Sequence, residues 1–446
     1  MMAREPIGVY PPNSAPRFDL AGLVALSVTP GLALYQGVVT ALGILPPFDA
    51  TTATLIPLGT ILACLVLRLA SLAKILASTA IRRASLFLLA YLLVVLASTL
   101  IVFIDPLERD PAKMFQQYLS TVPAVLIFFV MVTGPGGSAG LRTLNVSLLV
   151  WAVAAVITPL TALTPLPIGE VQGTYAGSQG LRSFGVLGDG GTFVVSFLVV
   201  AFLAARRPVW FTLALFALVL SGSRMALVVA GAGVALYLVL ANPKGRLQRT
   251  GERALRVVAA SAVMIIALIA LQVVFSVIAK QFGAFDAFTR LSETQLGDTD
   301  RLFSITQGLD WVKLSPIYGH GFNSYYYFSL RSAMFGANQS NALNQIVQTL
   351  MDGGVLGLGF LALFFYEVIR PSGGTLIDRR NDPFAIRAWL LAFVLINQAA
   401  VYILPAFFLT ILVFGLAGVV LNQREAGRPT VPSAPTRRRG LDNRPA

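Results

Sequence analysis

The chain has 446 residues, is 56% hydrophobic and only 12% charged, and carries a formal net charge of +13. A mean hydropathy of +0.76 is too high for an ordinary soluble domain, and apolar runs long enough to cross ~30 Å of hydrocarbon recur between residues 19 and 422. The basic residues lie in short loops between those runs, which leaves no continuous basic face for a duplex and excludes nucleic acid as a partner.

In chain order, the apolar pattern predicts helices over 20–41, 52–68, 85–104, 116–133, 143–163, 190–205, 208–221, 225–241, 256–280, 339–366, 388–403 and 405–422. The expected fold class is an all-α polytopic membrane protein of about 12 transmembrane helices. Residues 1–422 form a single membrane-embedded domain on this reading. A proline-rich arm over 1–18 precedes the first apolar stretch. That stretch outruns a signal-peptide core and lacks a small-residue cleavage site, so it reads as an uncleaved helix. The lone cysteine, Cys64, lies in the second helix. It leaves no internal disulfide or two-cysteine metal motif, and reads as a small buried hydrophobe.

Lysine and arginine set the orientation. Arg68, Lys74, Arg82 and Arg83 mark one side, as do Arg206 and Arg207, the block 244–256, the group Arg370, Arg379, Arg380 and Arg387, and Arg437, Arg438 and Arg439 in the tail. With twelve helices all of these fall on the side of both termini, which is the expected cytoplasmic side. The opposite side receives 42–51, 105–115, 164–189, 222–224 and a long segment over about 281–338. Loops of that length are usually functional. Within the last, Thr299 can cap a helix whose Leu302, Ile305, Leu309 and Val312 share one face before Pro316 ends it. The expectation is an amphipathic helix lying at the outer interface. Residues 423–446, with several prolines and a run of arginines, read as a disordered basic tail able to touch anionic lipid.

Few residues could carry chemistry. The single histidine, His320, lies between Gly319 and Gly321, so no His/Cys metal cluster can form, and no phosphate-binding Walker loop occurs. Asp298, Asp300 and Asp310 have no metal-ligand spacing, and neither metal nor other cofactor is expected. Three arginines stand on the outer side, against the charge bias. Arg182 lies in a glycine-rich run that enters a helix, Arg224 follows Ser221-Gly222-Ser223, and Arg301 opens the loop helix. A guanidinium presents a rigid fork of donors suited to phosphate oxygens and stays charged near pH 7, although a single interfacial arginine can also merely snorkel. Asn341 and Asn344 belong to a polar entry into an apolar helix, which is costly unless it lines a wet cavity. Close helix packing accounts for Gly354 and Gly357, and a turn for Gly319 and Gly321.

These pieces resemble the bacterial O-antigen ligase and polymerase superfamily. The matching parts are Leu220-Ser221-Gly222-Ser223-Arg224 opening a helix, Arg301 with Trp311, and Ser315-Pro316-Ile317-Tyr318-Gly319-His320-Gly321 in the large loop. The third part follows the family pattern of His, then Asn/Ser/Gln, nine residues and Gly-x-x-Gly, with Leu343 at the histidine position, Asn344 next, and Gly354 and Gly357 as the glycines.

The resemblance implies metal-independent transfer of a glycan from undecaprenyl pyrophosphate to an acceptor hydroxyl at the periplasmic face of the bacterial inner membrane. Arg182, Arg224 and Arg301 would hold the pyrophosphate, Asn341 and Asn344 would line the acceptor side or the cavity, and His320 or an outer-loop carboxylate is the candidate base. Leucine cannot take a proton, so Leu343 favours a polymerase of lipid-linked repeat units over a ligase. The expected partners are the lipid-linked oligosaccharide, membrane lipids, and proteins of chain-length control or export. A transporter or an assembly scaffold is the reading from a different class. The near absence of ionisable residues inside the helices, with Asp352 the main exception, argues against ion coupling.

Overall fold

The computed structural model describes residues 18–44, 50–101, 118, 121–161, 167–168, 170–173, 181–188, 190–240, 299–325, 328, 344–370, 384–396 and 407–426. Helices dominate: α1 (Leu20–Ala41), α2 (Ala50–Val66), the short α3 (Ala73–Ala77), α4 (Thr79–Ile101), α5 (Val122–Thr133) and α6 (Ser138–Leu160), the last widened to π geometry over Val153–Ile157. After a two-stranded antiparallel hairpin, β1 (Glu170–Gly173) and β2 (Leu181–Gly185), come α7 (Gly191–Ala204), α8 (Pro208–Leu220) and α9 (Arg224–Leu240). The loop helix α10 (Thr299–Val312), α11 (Gln345–Ile369), α12 (Phe384–Ile396) and α13 (Phe407–Ala426) complete the described elements.

Among the described residues five helices are long and apolar enough to cross a membrane, and a sixth span is possible if the pair Leu55–Val66 and Leu69–Ala77, bent by 60°, counts as one. Five shorter apolar helices accompany them. The polytopic helical class stands. The expected helix 256–280 lies outside the described residues, as do 281–298 of the long loop, the block 244–256, Pro405 and the tail beyond Ala426. The hairpin is a small addition to an otherwise helical fold. The last helix runs to Ala426, four residues past the expected boundary at 422, because Gln423 and Arg424 are bonded into the bundle.

One end of the bundle is tied by polar side chains. Asp19 caps α1, its Oδ1 accepting from Gly22 N–H at 2.9 Å, and pairs with Arg68, which also donates to the Val130 carbonyl. The Lys74 ammonium donates to the Gly134 carbonyl at 2.9 Å and to Asn422 Oδ1 at 2.5 Å, and the Asn422 amide donates to the carbonyls of Met131 and Gly134 at 2.9 and 3.1 Å. Gln423 clasps Gly137 through both its backbone groups at 3.1 and 2.9 Å, and Arg83 and Arg370 approach Glu367 at 3.9 and 3.7 Å. The last carbonyls of α5 have no partner within their own helix, and cations or amide donors are the groups that satisfy them. Several basic residues that mark topology are therefore also structural here.

The interior is set by close approach and aromatic fill. A Cβ on Gly418 would lie 2.7 Å from Met131 Cβ, and one on Gly415 2.8 Å from Leu26, so α13 packs tightly on α5 and α1. Phe364 meets Phe128 and Phe414 with centroids 5.5 Å away in each case, and Trp389 donates to Ser196 Oγ at 2.9 Å. Cys64 is buried, as its reading as a small hydrophobe required.

Candidate functional site at the end opposite the polar clasp

The end opposite the polar clasp carries the candidate residues. Because α1 begins at Asp19 and α6 near Gly137, their far ends lie there. The hairpin sits on those ends: Val186 N–H donates to Thr158 Oγ1 at 3.1 Å, and its side chain fills the space beside Gly37. Gly185 adopts φ 61°, a conformation that favours glycine, and a Cβ there would strike Thr158 and Pro159. Arg182 lies on β2, opposite Gln172. It is therefore on a strand rather than at a helix start. The next helix, α7, begins only at Gly191, so its first amides do not flank Arg182.

Arg224 is the first residue of α9. Gly222 turns the chain with φ 64°, Ser221 Oγ donates to the Leu218 carbonyl at 2.6 Å and accepts from Ser223 N–H at 3.3 Å, and Ser223 Oγ accepts from Ala226 N–H at 3.4 Å as the helix cap. Each residue of the Ser-Gly-Ser turn thus has a local task that fixes the backbone of Arg224 at the end opposite the polar clasp. Arg301 lies in the first turn of α10.

The loop helix packs only partly as expected, with Ile305 and Val312 on its buried side. Ser304, Gly308 and Val312 form its buried seam, whereas Leu309 is 41% exposed. Ser304 and Gly308 are small residues one turn apart, and a Cβ on Gly308 would lie 2.5 Å from Val347 Cγ1, so α10 lies directly against the first half of α11. Trp311 meets Tyr325 edge-on at 5.2 Å and Phe328 at 5.0 Å, and Val312, Tyr325, Val347 and Met351 close a small apolar cluster between loop and helix. Burial pushes the Tyr325 phenol above its ordinary range, against a smaller opposing effect from the Ser304 hydroxyl, so it stays neutral there.

The principal feature that sequence reasoning missed is a break in α11. Gly354 has φ 62° and ψ −163°, outside helical geometry. In an unbroken helix Val355 N–H would bond to Met351 C=O and Leu356 N–H to Asp352 C=O. Here the segment Pro316–Gly321 takes all four groups: Val355 donates to Pro316 at 2.9 Å and Leu356 to Ile317 at 3.4 Å, while His320 donates to Met351 at 2.5 Å and Gly321 to Asp352 at 3.2 Å. Inside a membrane-spanning element the backbone must be satisfied locally, and this strap does so. A Cβ on Gly354 would run into the Ile317 carbonyl, and one on Gly319 would come within 2.6 Å of Gly353 N. The strap is also held to α4: Ser98 Oγ donates to the Tyr318 carbonyl, and Phe322 N–H donates to Thr99 Oγ1 at 2.9 Å. The available signal was the recurrence of glycine pairs at 319/321 and 353/354.

His320 is 8% exposed. Its Nε2 lies 2.8 Å from the Trp311 carbonyl, and its ring packs edge-on to Phe328 at 4.9 Å. Asn344 caps α11, its Oδ1 accepting from Val347 N–H at 3.0 Å, and Asn341 lies outside the described residues. One turn and two turns below Asn344 stand Gln348 and Asp352, both fully buried, with Gln348 Nε2 donating to Asp352 Oδ1 at 3.0 Å. Among the described residues no group of three His, Cys, Asp or Glu side chains could hold a metal ion.

Residues 209–362 match the model of the family described as O-antigen ligase. The match bears out the resemblance to the ligase and polymerase superfamily. It spans Arg224, Arg301, His320, Asn344, Gly354 and Gly357 and leaves Arg182 outside. No curated protein matches the chain.

Proposed function

We propose that this chain, whose residues 209–362 match the O-antigen ligase family model, is a membrane glycosyltransferase that polymerises lipid-linked oligosaccharide repeat units at the periplasmic face of the inner membrane. The observation that carries the choice of polymerase is Leu343, which stands directly before the helix-capping Asn344 at the place where the family pattern has its histidine.

In the proposed reaction an acceptor sugar hydroxyl attacks the anomeric carbon of a glycan on undecaprenyl pyrophosphate. The new glycosidic bond forms as the bond from that carbon to the pyrophosphate oxygen breaks. The hydroxyl proton is lost to solvent or to a nearby acceptor, and the lipid pyrophosphate departs. Arg182, Arg224 and Arg301 offset the negative charge that grows on it, which is preorganised electrostatic catalysis. Asn341 and Asn344 line the acceptor side. Proteins of chain-length control or export are the partners that suit such an enzyme. The second reading is a ligase, favoured by the description of the matching family, with lipid A–core or another acceptor in place of a second lipid-linked repeat.

Deletion of the gene tests the choice in cells. A polymerase deletion removes long polymer while single repeat units persist on carrier or on their final acceptor, and re-expression restores length. Loss of all transferred glycan, single units included, would instead identify a ligase.

A further inference from the structure

We propose that His320 is a positioning residue: through its Nε2–H it pins the C-terminal end of α10, and with it the helix that bears Arg301, onto the strap seated in the break of α11. This inference rests on the glycosyl-transfer reading for its activity arm, while its structural arm stands apart from that reading.

The Trp311 carbonyl is one of the last of α10; it accepts from Leu314 N–H at 3.0 Å in the closing turn and keeps a second lone pair for a donor from outside the helix. A carbonyl oxygen carries no proton, so the His320 Nε2 lying 2.8 Å from it must be the donor. That nitrogen cannot then accept a proton from a sugar hydroxyl while the contact stands. The backbone of the same residue is fixed independently, since His320 N–H donates to Met351 and the flanking Gly321 N–H to Asp352. His320 therefore joins three parts of this end: its side chain holds the loop helix, its amide holds the first half of α11, and its strap is bonded to α4 by Ser98 and Thr99. Ser304 and Gly308 let α10 lie close on α11, but a small-residue seam does not fix how far a helix slides or tilts along it. A directional bond at its end does.

The experiment compares His320→Gln with His320→Ala in full-length protein. The glutamine amide can reach where Nε2 lies and donate to Trp311, but it is no base. The structural readout is disulfide formation between Gly308→Cys and Val347→Cys in a Cys64→Ser background, positions where a Cβ at 308 would lie 2.5 Å from Val347 Cγ1 across α10 and α11. The activity readout is elongation of lipid-linked repeat units. His320→Gln is expected to keep both rates within about threefold of the parent, and His320→Ala to lower both by roughly tenfold, the scale of losing one partly buried hydrogen bond. Normal cross-linking in both variants with elongation abolished in both would overturn the proposal and assign proton transfer to His320. Unchanged rates in His320→Ala would overturn it as well. If His320→Ala fails to accumulate, His320→Gln decides alone: parental cross-linking and elongation support the pin, and loss of either refutes it. A parent that cross-links but elongates nothing refutes the polymerase reading and leaves the pin to the cross-linking arm.

Discussion

The amide of Val355 donates to the carbonyl of Pro316 at 2.9 Å rather than to Met351, its partner in an uninterrupted helix. That one exchange joins the segment Pro316–Gly321 to α11 through backbone atoms alone, and glycine is what makes the approach feasible. The two glycines of the Gly-x-x-Gly pattern consequently have unequal tasks. Gly354 has positive φ and no room for a Cβ, whereas a Cβ on Gly357 would make an ordinary 3.7 Å contact with the Tyr91 ring.

Gly354→Ala is therefore expected to destabilise the end opposite the polar clasp by about 2–4 kcal/mol through the combined clash and backbone strain. Gly357→Ala is expected to stay within about 1 kcal/mol of the parent, aided by better helix propensity. Thermal unfolding of the two purified variants in one detergent checks the contrast. Equal melting temperatures would mean that the break is not what Gly354 serves.

The arginines are tested by charge-conserving replacement. Lysine at position 182, 224 or 301 keeps the charge and loses the fork, so each variant should accumulate normally yet lose ~2–4 kcal/mol of transition-state stabilisation, about a hundredfold in rate. Polymer of normal length and amount from all three variants would remove the pyrophosphate role.

At the opposite end, Arg68 and Asp19 are a buried ion pair, and Arg68 also serves a carbonyl of α5. Arg68→Met strands the Asp19 carboxylate and should cost about 3–5 kcal/mol, while Asp19→Asn in the same chain should recover part of it. A melting temperature in detergent that falls for the single variant and rises again for the double variant is the expected pattern.

Much of this was legible in the sequence. Helix α1 was placed to the residue, and α7, α8 and α9 to within one, because long apolar runs bounded by Asp, Arg-Pro and Ser-Gly-Ser are strong signals. The start of α4 was placed at 85 rather than Thr79, since Arg82 and Arg83 look like loop residues although Ser78 already caps the helix at Ile81 N–H. The hairpin was hidden in a glycine-rich stretch whose strands are too short to show alternation. The expected face of α10 holds in part: Ile305 and Val312 pack into the cluster with Val347 and Met351, whereas Leu309 is exposed and the closest approach is made by Gly308, whose smallness hydrophobicity does not reveal. The break at Gly354 was the least legible. Glycines in an apolar helix ordinarily mean close packing, and only the partner strap, distant in sequence, reveals the other use. For the site, the place of Arg224 at the start of a helix follows from the Ser-Gly-Ser boundary, whereas the task of His320 depends on a contact that no spacing could announce.

The central claim, polymerisation of lipid-linked repeat units, is tested most directly by reconstitution. Purified protein in lipid vesicles is given undecaprenyl-pyrophosphate-linked repeat units and nothing else: no nucleotide sugar, no added metal and no second acceptor. The account predicts a ladder of longer lipid-linked chains with release of lipid pyrophosphate, one per bond formed. Products that arise only after lipid A–core or a protein acceptor is added would contradict it and assign a ligase, and no new glycosidic bond in either mixture would contradict glycosyl transfer altogether.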